Sequence, residues 1–254
     1  MNDAPTMKRP RGTRWCLTGI ALAGIGALLV VLGLAGARAG LFGPLTAFMA
    51  FGIGGLLFVV SILSTIVGLL LSKGSAGSAS SGLTWTALIV AAVFFAGSLS
   101  LRPDTSGTAP IHDITTDIGN PPSFDMIIPL RIDAPNPPEY AGAEAAEQQR
   151  TAYPDIQTLT LEKPTDEVFD AAKAVASELG WEIVSANRDS GRIEATDTTF
   201  WFRFKDDVVI RLTPRGSGTN VDIRSKSRVG RGDMGANAAR IRRFLQDLSD
   251  VMGA

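Results

Sequence analysis

The sequence predicts a membrane protein with an α+β domain. Three N-terminal transmembrane helices precede a two-layer domain with an antiparallel sheet and two helices, in the order β-α-β-β-β-β-α. Three observations lead there. Between Trp15 and Leu101 the charged residues are Arg38 and Lys73 alone, whereas charges and prolines crowd the rest of the 254-residue chain. From Ile156 onward, stretches of period-two alternation are separated by short turn-forming sequences. Two stretches of helical periodicity bracket those strands.

The tail, residues 1–14, carries Lys8, Arg9, Arg11 and Arg14. Uncharged runs follow at 17–37, 45–71 and 83–101, each near the roughly 20 residues a helix needs to cross hydrocarbon. The basic tail outweighs Arg38 in the first loop, which places the N-terminus in the cytoplasm and the chain after Leu101 outside. In a Gram-negative bacterium this is a multi-pass inner-membrane protein with a periplasmic C-terminal domain. Ala37-Arg38-Ala39 resembles a signal-peptidase site, but the apolar run before it exceeds the usual h-region of roughly 7–15 residues. Cleaved or not, the C-terminal domain ends up outside. No ionisable residue lies within the spans, which argues against a transporter or channel. Gly36 and Gly40 form a small-xxx-small pair suited to close helix packing. Cys16 is the single cysteine, so disulfide scaffolds and thiolate metal sites are excluded, and it reads as a small apolar residue of the first span.

Residues 102–153 form a proline-marked connecting strap, since proline disfavours long helices and central strands. Within it, 139–150 is rich in Ala, Glu and Gln and predicts a short helix. The strap holds the single histidine, His112, in "IHDITTDIGNPPSF". Ile111, Ile114, Ile118, Phe124, Ile127, Ile128 and Leu130 predict that the strap packs on a surface. Its candidate docking residues are His112, Asp113, Asp117, Asn120, Pro121, Pro122 and Phe124.

The domain spans residues 154–254. "IQTLTL" predicts a strand. A helix follows, with Pro164 in its first turn, Thr165 or Asp166 as cap, Val168, Ala172, Val175 and Leu179 on one face, and Gly180 at its stop. "WEIVSA", "RIEATD", "FWFRF", "DVVIRLTP" and "TNVDIRSKS" predict strands, with Phe200, Phe202 and Phe204 sharing one side. The last helix starts near Asp233 and turns Met234, Ala238, Ile241, Leu245 and Leu248 toward the sheet.

Residues 203–243 carry 11 basic against 4 acidic residues. Arg224, Lys226 and Arg228 alternate along one strand face, and with Arg231, Arg240 and Arg243 they form the candidate anion- or partner-binding set. The competing reading is a charged sheet face balanced by the acidic first half of the domain. Arg243 and Asp247 at i,i+4 illustrate such pairing. Catalysis has little support. There is no G-x-S-x-G elbow for a serine nucleophile, His112 and Asp117 are five apart, and Asp206 and Asp207 are strand neighbours that suggest a turn. "GRGDMGANAARIRRF" lacks the spacing of a phosphate loop and reads as a glycine-flexed entry to a capped helix. No catalytic residue, metal ligand or cofactor is assigned.

"IHDITTDIGNPPSF", "YPDI" and "FKDDVVIRLTPRGSGTNVDIRSKSRVGRGDMGANAARIRRFL" resemble the bacterial family known as domain of unknown function 1499, over about residues 110–250. That resemblance carries no established activity. The order of elements is similar to helix-grip domains, as in an outer-membrane-assembly lipoprotein subunit, an analogy of fold alone. Together these readings predict a non-enzymatic, membrane-anchored envelope protein whose outer domain binds a partner protein or a lipid or anionic envelope component. The expected partners are membrane lipids and envelope proteins, not nucleic acid. An alternative is a lipid held between helices and sheet beneath Phe200, Phe202 and Phe204. A more distant one is a metal-dependent hydrolase using His112.

Overall fold

The computed structural model describes residues 12–72, 82–100 and 108–254. The basic tail before Gly12, Lys73 and its loop, and Arg102 lie outside the described residues. Two compact units are present, residues 1–103 with 201–203, and residues 104–200 with 204–254.

The first unit holds α1 (Thr13–Arg38), α2 (Pro44–Leu71) and α3 (Gly82–Ser100). α1 and α2 are long and apolar enough to cross a membrane; in the 19-residue α3 the apolar stretch is Thr84–Gly97. Burial is inverted relative to a water-soluble core. Gly19, Gly26, Gly33, Gly54, Ser61, Ser64, Thr65 and Gly68 are buried, while Leu28, Val31, Leu32, Leu56, Leu63 and Leu70 face outward. The reason lies in a seven-residue repeat. Gly12, Gly19, Gly26 and Gly33 recur along one line of α1 and meet α2 in turn. A methyl on Gly12 would fall 2.1 Å from the Gly68 carbonyl oxygen, one on Gly19 2.1 Å from Thr65 Oγ1, and one on Gly26 3.0 Å from the Gly54 carbonyl oxygen. A strict seven-residue repeat keeps one seam facing its neighbour and lets two backbones approach. That approach permits hydrogen bonds between the helices, from Ser61 Oγ to the Gly19 carbonyl (2.6 Å) and from Ser64 Oγ to the Trp15 carbonyl (2.9 Å). Gly36 and Gly40 do not form the expected packing pair. α1 ends at Arg38, Gly40 lies beyond it at φ +70°, and Gly36 backs onto the Phe42 ring. The third helix joins through Phe58, Ala87 and Ala91 beside Ala23, with Phe58 and Phe94 rings 4.5 Å apart.

The second unit contains β1 (Asp113–Thr115), α4 (Ala143–Ala152), β2 (Leu159–Leu161), α5 (Thr165–Glu178), β3 (Glu182–Asn187), β4 (Arg192–Thr198), β5 (Lys205–Arg215), β6 (Gly218–Ser227) and α6 (Ala236–Met252). The sheet is antiparallel, in the order β1-β6-β5-β4-β3, with β2 also on β6. β1 pairs with Arg224–Lys226 and β2 with Thr219–Val221, so the two short strands share one edge of β6. β1 and α4 come from the strap. "FWFRF" is not a strand: β4 ends at Thr198, β5 starts at Lys205, and the bend between them is closed by the Thr199 N–H donating to the Phe204 carbonyl (2.8 Å). Phe200, Phe202 and Phe204 therefore lie in a bend and not along one strand face.

One face of the sheet carries α5 and α6. Ile193, Ala195, Val208, Ile210, Leu212, Val221 and Ile223 meet Val168, Phe169, Ala172, Val175, Ala238, Ile241, Phe244 and Leu248, with Trp181 stacked on Phe244 at 5.5 Å. Side chains of this size each contribute about 1.5–3 kcal/mol when fully buried. α5 stops as its sequence predicts. Gly180 adopts φ +82° while its N–H reaches the Ser177 carbonyl and the Trp181 N–H the Ala176 carbonyl, a double-bonded glycine stop. Pro164 sits at the N-cap, one residue before its expected place. α6 starts at Ala236 rather than near Asp233, and Met234 is exposed instead of facing the sheet. Asp233 still caps the helix from outside, its Oδ2 accepting the Asn237 N–H (2.7 Å) and its Oδ1 the Gly235 N–H (2.9 Å).

Gly19→Leu is expected to drive α1 from α2, with an overpacking cost of about 1–3 kcal/mol. Thermal unfolding of the full chain in mild detergent checks this. Gly24→Leu, at a position with nothing within 4 Å, is the matched control and leaves the transition unchanged.

Candidate functional site

The face of the sheet opposite α5 and α6 carries the densest chemistry. β4 places Glu194 and Thr196 there, β5 places Asp207, Val209 and Arg211, and β6 places Asp222, Arg224 and Lys226, because alternate strand residues point to one side; Arg228 follows directly after β6. Residues 111–142 cross this face. Phe124, Ile127 and Val209 form a small apolar cluster beneath the strap, with Val184 packed against it. Around it the contacts are ionic and almost fully enclosed.

Asp113, arriving on β1, accepts Arg224 through Nε and Nη2 (2.8 Å each) and Lys226 through Nζ (3.0 Å). All three side chains are buried. Their remaining donors hold strap carbonyls: Arg224 binds those of Pro122 (3.2 Å) and Pro138 (2.9 Å), and Lys226 that of Glu139 (2.6 Å). The Phe124 ring lies under the Arg224 guanidinium at 4.9 Å. Asp207 forms a second centre. It takes Arg131 (2.6 Å) from the strap, Arg228 (2.8 and 2.9 Å) from just past β6 and the Thr196 hydroxyl (2.7 Å) from β4. Arg211 bridges Asp117 (2.9 Å) and Asp222 (2.8 Å), and its other arm reaches the Asn120 carbonyl (3.0 Å). Glu194 accepts the Asp125 and Ile127 N–H groups at 2.9 Å each. Gln149 of α4 closes the edge by accepting the Thr115 N–H (3.0 Å) and donating to the Thr115 carbonyl (2.6 Å).

Burial pushes the Lys226 ammonium below its ordinary range, an effect Asp113 opposes. Arg131 is lowered by burial in the same way, against the pull of Asp207. Both shifts mark cations whose hydration has been replaced by protein.

The predicted anion set is divided by these contacts. Arg224 and Lys226 are committed to Asp113 and have no open face for a ligand. Arg228 is tied to Asp207 and to the Leu130 carbonyl. Arg240 lies on the opposite face, bridging Asp197 and Asp206 while holding Ser225 and Asn237. Arg243 pairs with Asp247 on the surface, as the i,i+4 spacing suggested. Arg231 is exposed. The six cations therefore do not converge on one site.

The strap residues have structural roles too. His112 is half-buried, with Nδ1 3.2 Å from the Arg231 carbonyl, and its own carbonyl accepts Ser227 N–H and Asn237 Nδ2. Asp117 folds the strap by accepting the Gly119 and Asn120 N–H groups. Pro122 and Phe124 are buried, Pro121 is half-buried and Asn120 is exposed. Of the strap's apolar residues, Ile111, Ile114, Phe124 and Ile127 are buried, whereas Ile128 and Leu130 face outward. Asp206 and Asp207 do not mark a turn. Both are buried within β5, and they serve opposite faces, Arg240 on one and Arg131 with Arg228 on the other. Among the described residues, no group of three or more His, Cys, Asp or Glu side chains is placed to hold a metal ion.

Sequence reasoning missed Arg131, Asp207, Asp222, Arg211 and Glu194 as parts of this assembly. Period-two alternation could have placed the strand members on one face. The strap partners lie 67 to 113 residues from theirs, beyond any local spacing rule.

The architecture is that of a strapped antiparallel α+β domain that follows a set of apolar helices in the sequence. The family described as "Protein of unknown function (DUF1499)" matches residues 113–248, and the chain belongs to it. The match starts at Asp113, so it takes in the strap as well as the sheet and its two helices. Among curated proteins, none matches the chain.

Asp113→Asn leaves Arg224 and Lys226 buried without the one carboxylate they share, and is expected to cost about 3–5 kcal/mol. Pulse proteolysis across a urea series measures it; Asp247→Asn, at the exposed pair, is expected to change stability by less than about 0.5 kcal/mol. Asp233 gives a pH test. Burial raises its carboxyl above the ordinary range despite its two backbone hydrogen bonds. The folded state thus binds a proton that the unfolded state has released. Stability from this group is fully present below its unfolded-state pKa and is lost as pH rises from there through the folded-state value. Asp233→Asn is expected to flatten that slope in stability measured upward from the ordinary carboxylate range.

Proposed function

We propose that the chain is a non-catalytic cell-envelope protein. Three helices hold it in the bacterial inner membrane with the N-terminus in the cytoplasm, and the strapped domain works outside as a binding module for a partner protein or a lipid. The inverted burial of the helices supports the membrane reading, since small residues inside and large aliphatics outside suit a hydrocarbon solvent. The excess of Lys and Arg in the tail supports the orientation.

One observation carries the non-catalytic reading: the polar residues that could do chemistry are consumed by one another. The buried cations face buried carboxylates or strap carbonyls, and His112 is held at the strap edge. A catalytic group needs an open side toward substrate, and tightly satisfied ion pairs leave none. The alternative of a lipid between helices and sheet has less support, because Ile193, Ile210, Ile223, Ile241 and Phe244 fill that layer. An apolar ridge on the strap remains as surface for recognition.

Two measurements test the reading. A reporter active only in the cytoplasm, fused after Ala254, is expected to stay silent, and a signal would reverse the orientation. His112→Ala is expected to leave complementation of a deletion strain intact; loss of function with the folded protein still present would restore a chemical role.

A further inference from the structure

Most apolar side chains of the domain are in its core, but one run is turned outward. In the single-turn 3-10 helix Ile128–Arg131 and its flanks, Met126, Ile128, Leu130 and Ile132 are 56%, 45%, 52% and 85% exposed. Ile127 and Arg131 between them are buried and pin the turn from beneath. Phe200, in the bend between β4 and β5, is 65% exposed. Bend and turn belong to the same end of the sheet. Arg228 Nη1 donates to the Leu130 carbonyl (2.7 Å), and the Arg228 N–H donates to the carbonyl of Lys205, the first residue after the bend (3.1 Å). Single exposed aliphatics are ordinary, but four within seven consecutive residues on a fixed turn make a patch.

We propose that this ridge docks on the lipid bilayer, its aliphatic side chains entering the boundary between headgroups and acyl chains. The inference rests on the reading of the chain as membrane-anchored. Chain length favours this occupant. Seven residues, 101–107, separate α3 from Thr108, and at about 3.3–3.6 Å per residue they span about 25–30 Å at most. A bilayer holding α3 is therefore always within reach of the domain. Chemistry favours it as well. Backbone groups entering a lipid boundary are best already bonded, and at the two inner ridge residues they are engaged: the Ile128 N–H reaches the Asp125 carbonyl (3.1 Å), the Leu130 N–H the Ile127 carbonyl (2.9 Å), and Arg228 holds the Leu130 carbonyl. What the turn presents outward is aliphatic surface, which suits a fluid boundary. Asp125 and Asp133, both exposed, flank the ridge in the sequence, and Arg228, which holds the Leu130 carbonyl, is already paired with Asp207. With its nearest cation neutralised, docking depends on apolar area and needs no anionic lipid.

The test uses the full-length chain with Cys16→Ala, reconstituted in phosphatidylcholine vesicles and spin-labelled at Ile132→Cys. Arg215→Cys, the exposed last residue of β5 at the turn end of the β5–β6 hairpin, is the reference. The label at 132 is expected to be several-fold less accessible to a water-soluble nickel complex than the one at 215, and more accessible to oxygen. Adding phosphatidylglycerol is expected to change neither. Introducing Ile128→Asp and Leu130→Asp is expected to return the label at 132 to water. Equal aqueous accessibility at 132 and 215 overturns the proposal. Spin–spin broadening at 132 also overturns it, because a second copy of the chain would then cover the ridge. Vesicle flotation separates the two levels: a chain that does not float sinks the anchoring and the docking together, whereas a floating chain with a water-exposed label at 132 sinks the docking alone.

Discussion

Asp113 sits between two buried cations, and the rest of the strapped domain depends on that placement. Removing a carboxylate, a guanidinium and an ammonium from water costs several kcal/mol per ion, which mutual attraction offsets only when every donor finds an acceptor. Here the condition is met by Arg224 forking onto Asp113, Lys226 closing the third side, and the spare donors taking the carbonyls of Pro122, Pro138 and Glu139. The prolines suit this use, since a residue without an N–H still presents an acceptor. A segment with few donors is thus laid across a sheet face rich in them.

The consequence is a sheet enclosed on both sides by different physics. On the helix side, apolar packing dominates and one ion bridge, Arg240 with Asp197 and Asp206, punctuates it. On the strap side, ion pairs dominate and one apolar cluster, Phe124, Ile127 and Val209, punctuates them. Buried ionic contacts are directional where apolar ones are not, so the strap gains a defined path rather than a loose cover. That path is what turns Met126, Ile128, Leu130 and Ile132 to the outside.

Much of the domain was legible locally. The glycine stop at Gly180, the alternation of β4 and β6 and the helical stripe through Ala238, Ile241 and Leu248 are short-range patterns, and each formed where the spacing placed it. What failed was non-local. Arg224 and Lys226 were correctly placed on one strand face, with Arg228 just past the strand's end, yet the three read as a ligand surface because their counter-charges arrive from the strap and from a neighbouring strand. "FWFRF" alternates like a strand but has no partner in register beyond Thr198 and Lys205, so it bends instead. The glycines of α1 were visible one by one. Their seven-residue interval acquires meaning only beside α2, where Gly54, Thr65 and Gly68 receive them.

β5 is the wall shared by both layers, and its opening letters are doublets: Asp206-Asp207, then Val208-Val209. Slipping a strand by one residue exchanges its two faces. Along an alternating strand such a slip is self-evidently wrong, but a doublet partly conceals the error, since an acid still replaces an acid and a valine a valine. The discrimination therefore falls to Ile210, Arg211 and Leu212, where a slip would press a guanidinium into the aliphatic layer, and to β6, whose Asp222, Arg224 and Lys226 alternate strictly with Val221, Ile223 and Ser225. The β5–β6 hairpin thus acts as the proofreader of the sheet. Arg211, half-way along it, is the residue at which a misaligned strand pairing becomes untenable.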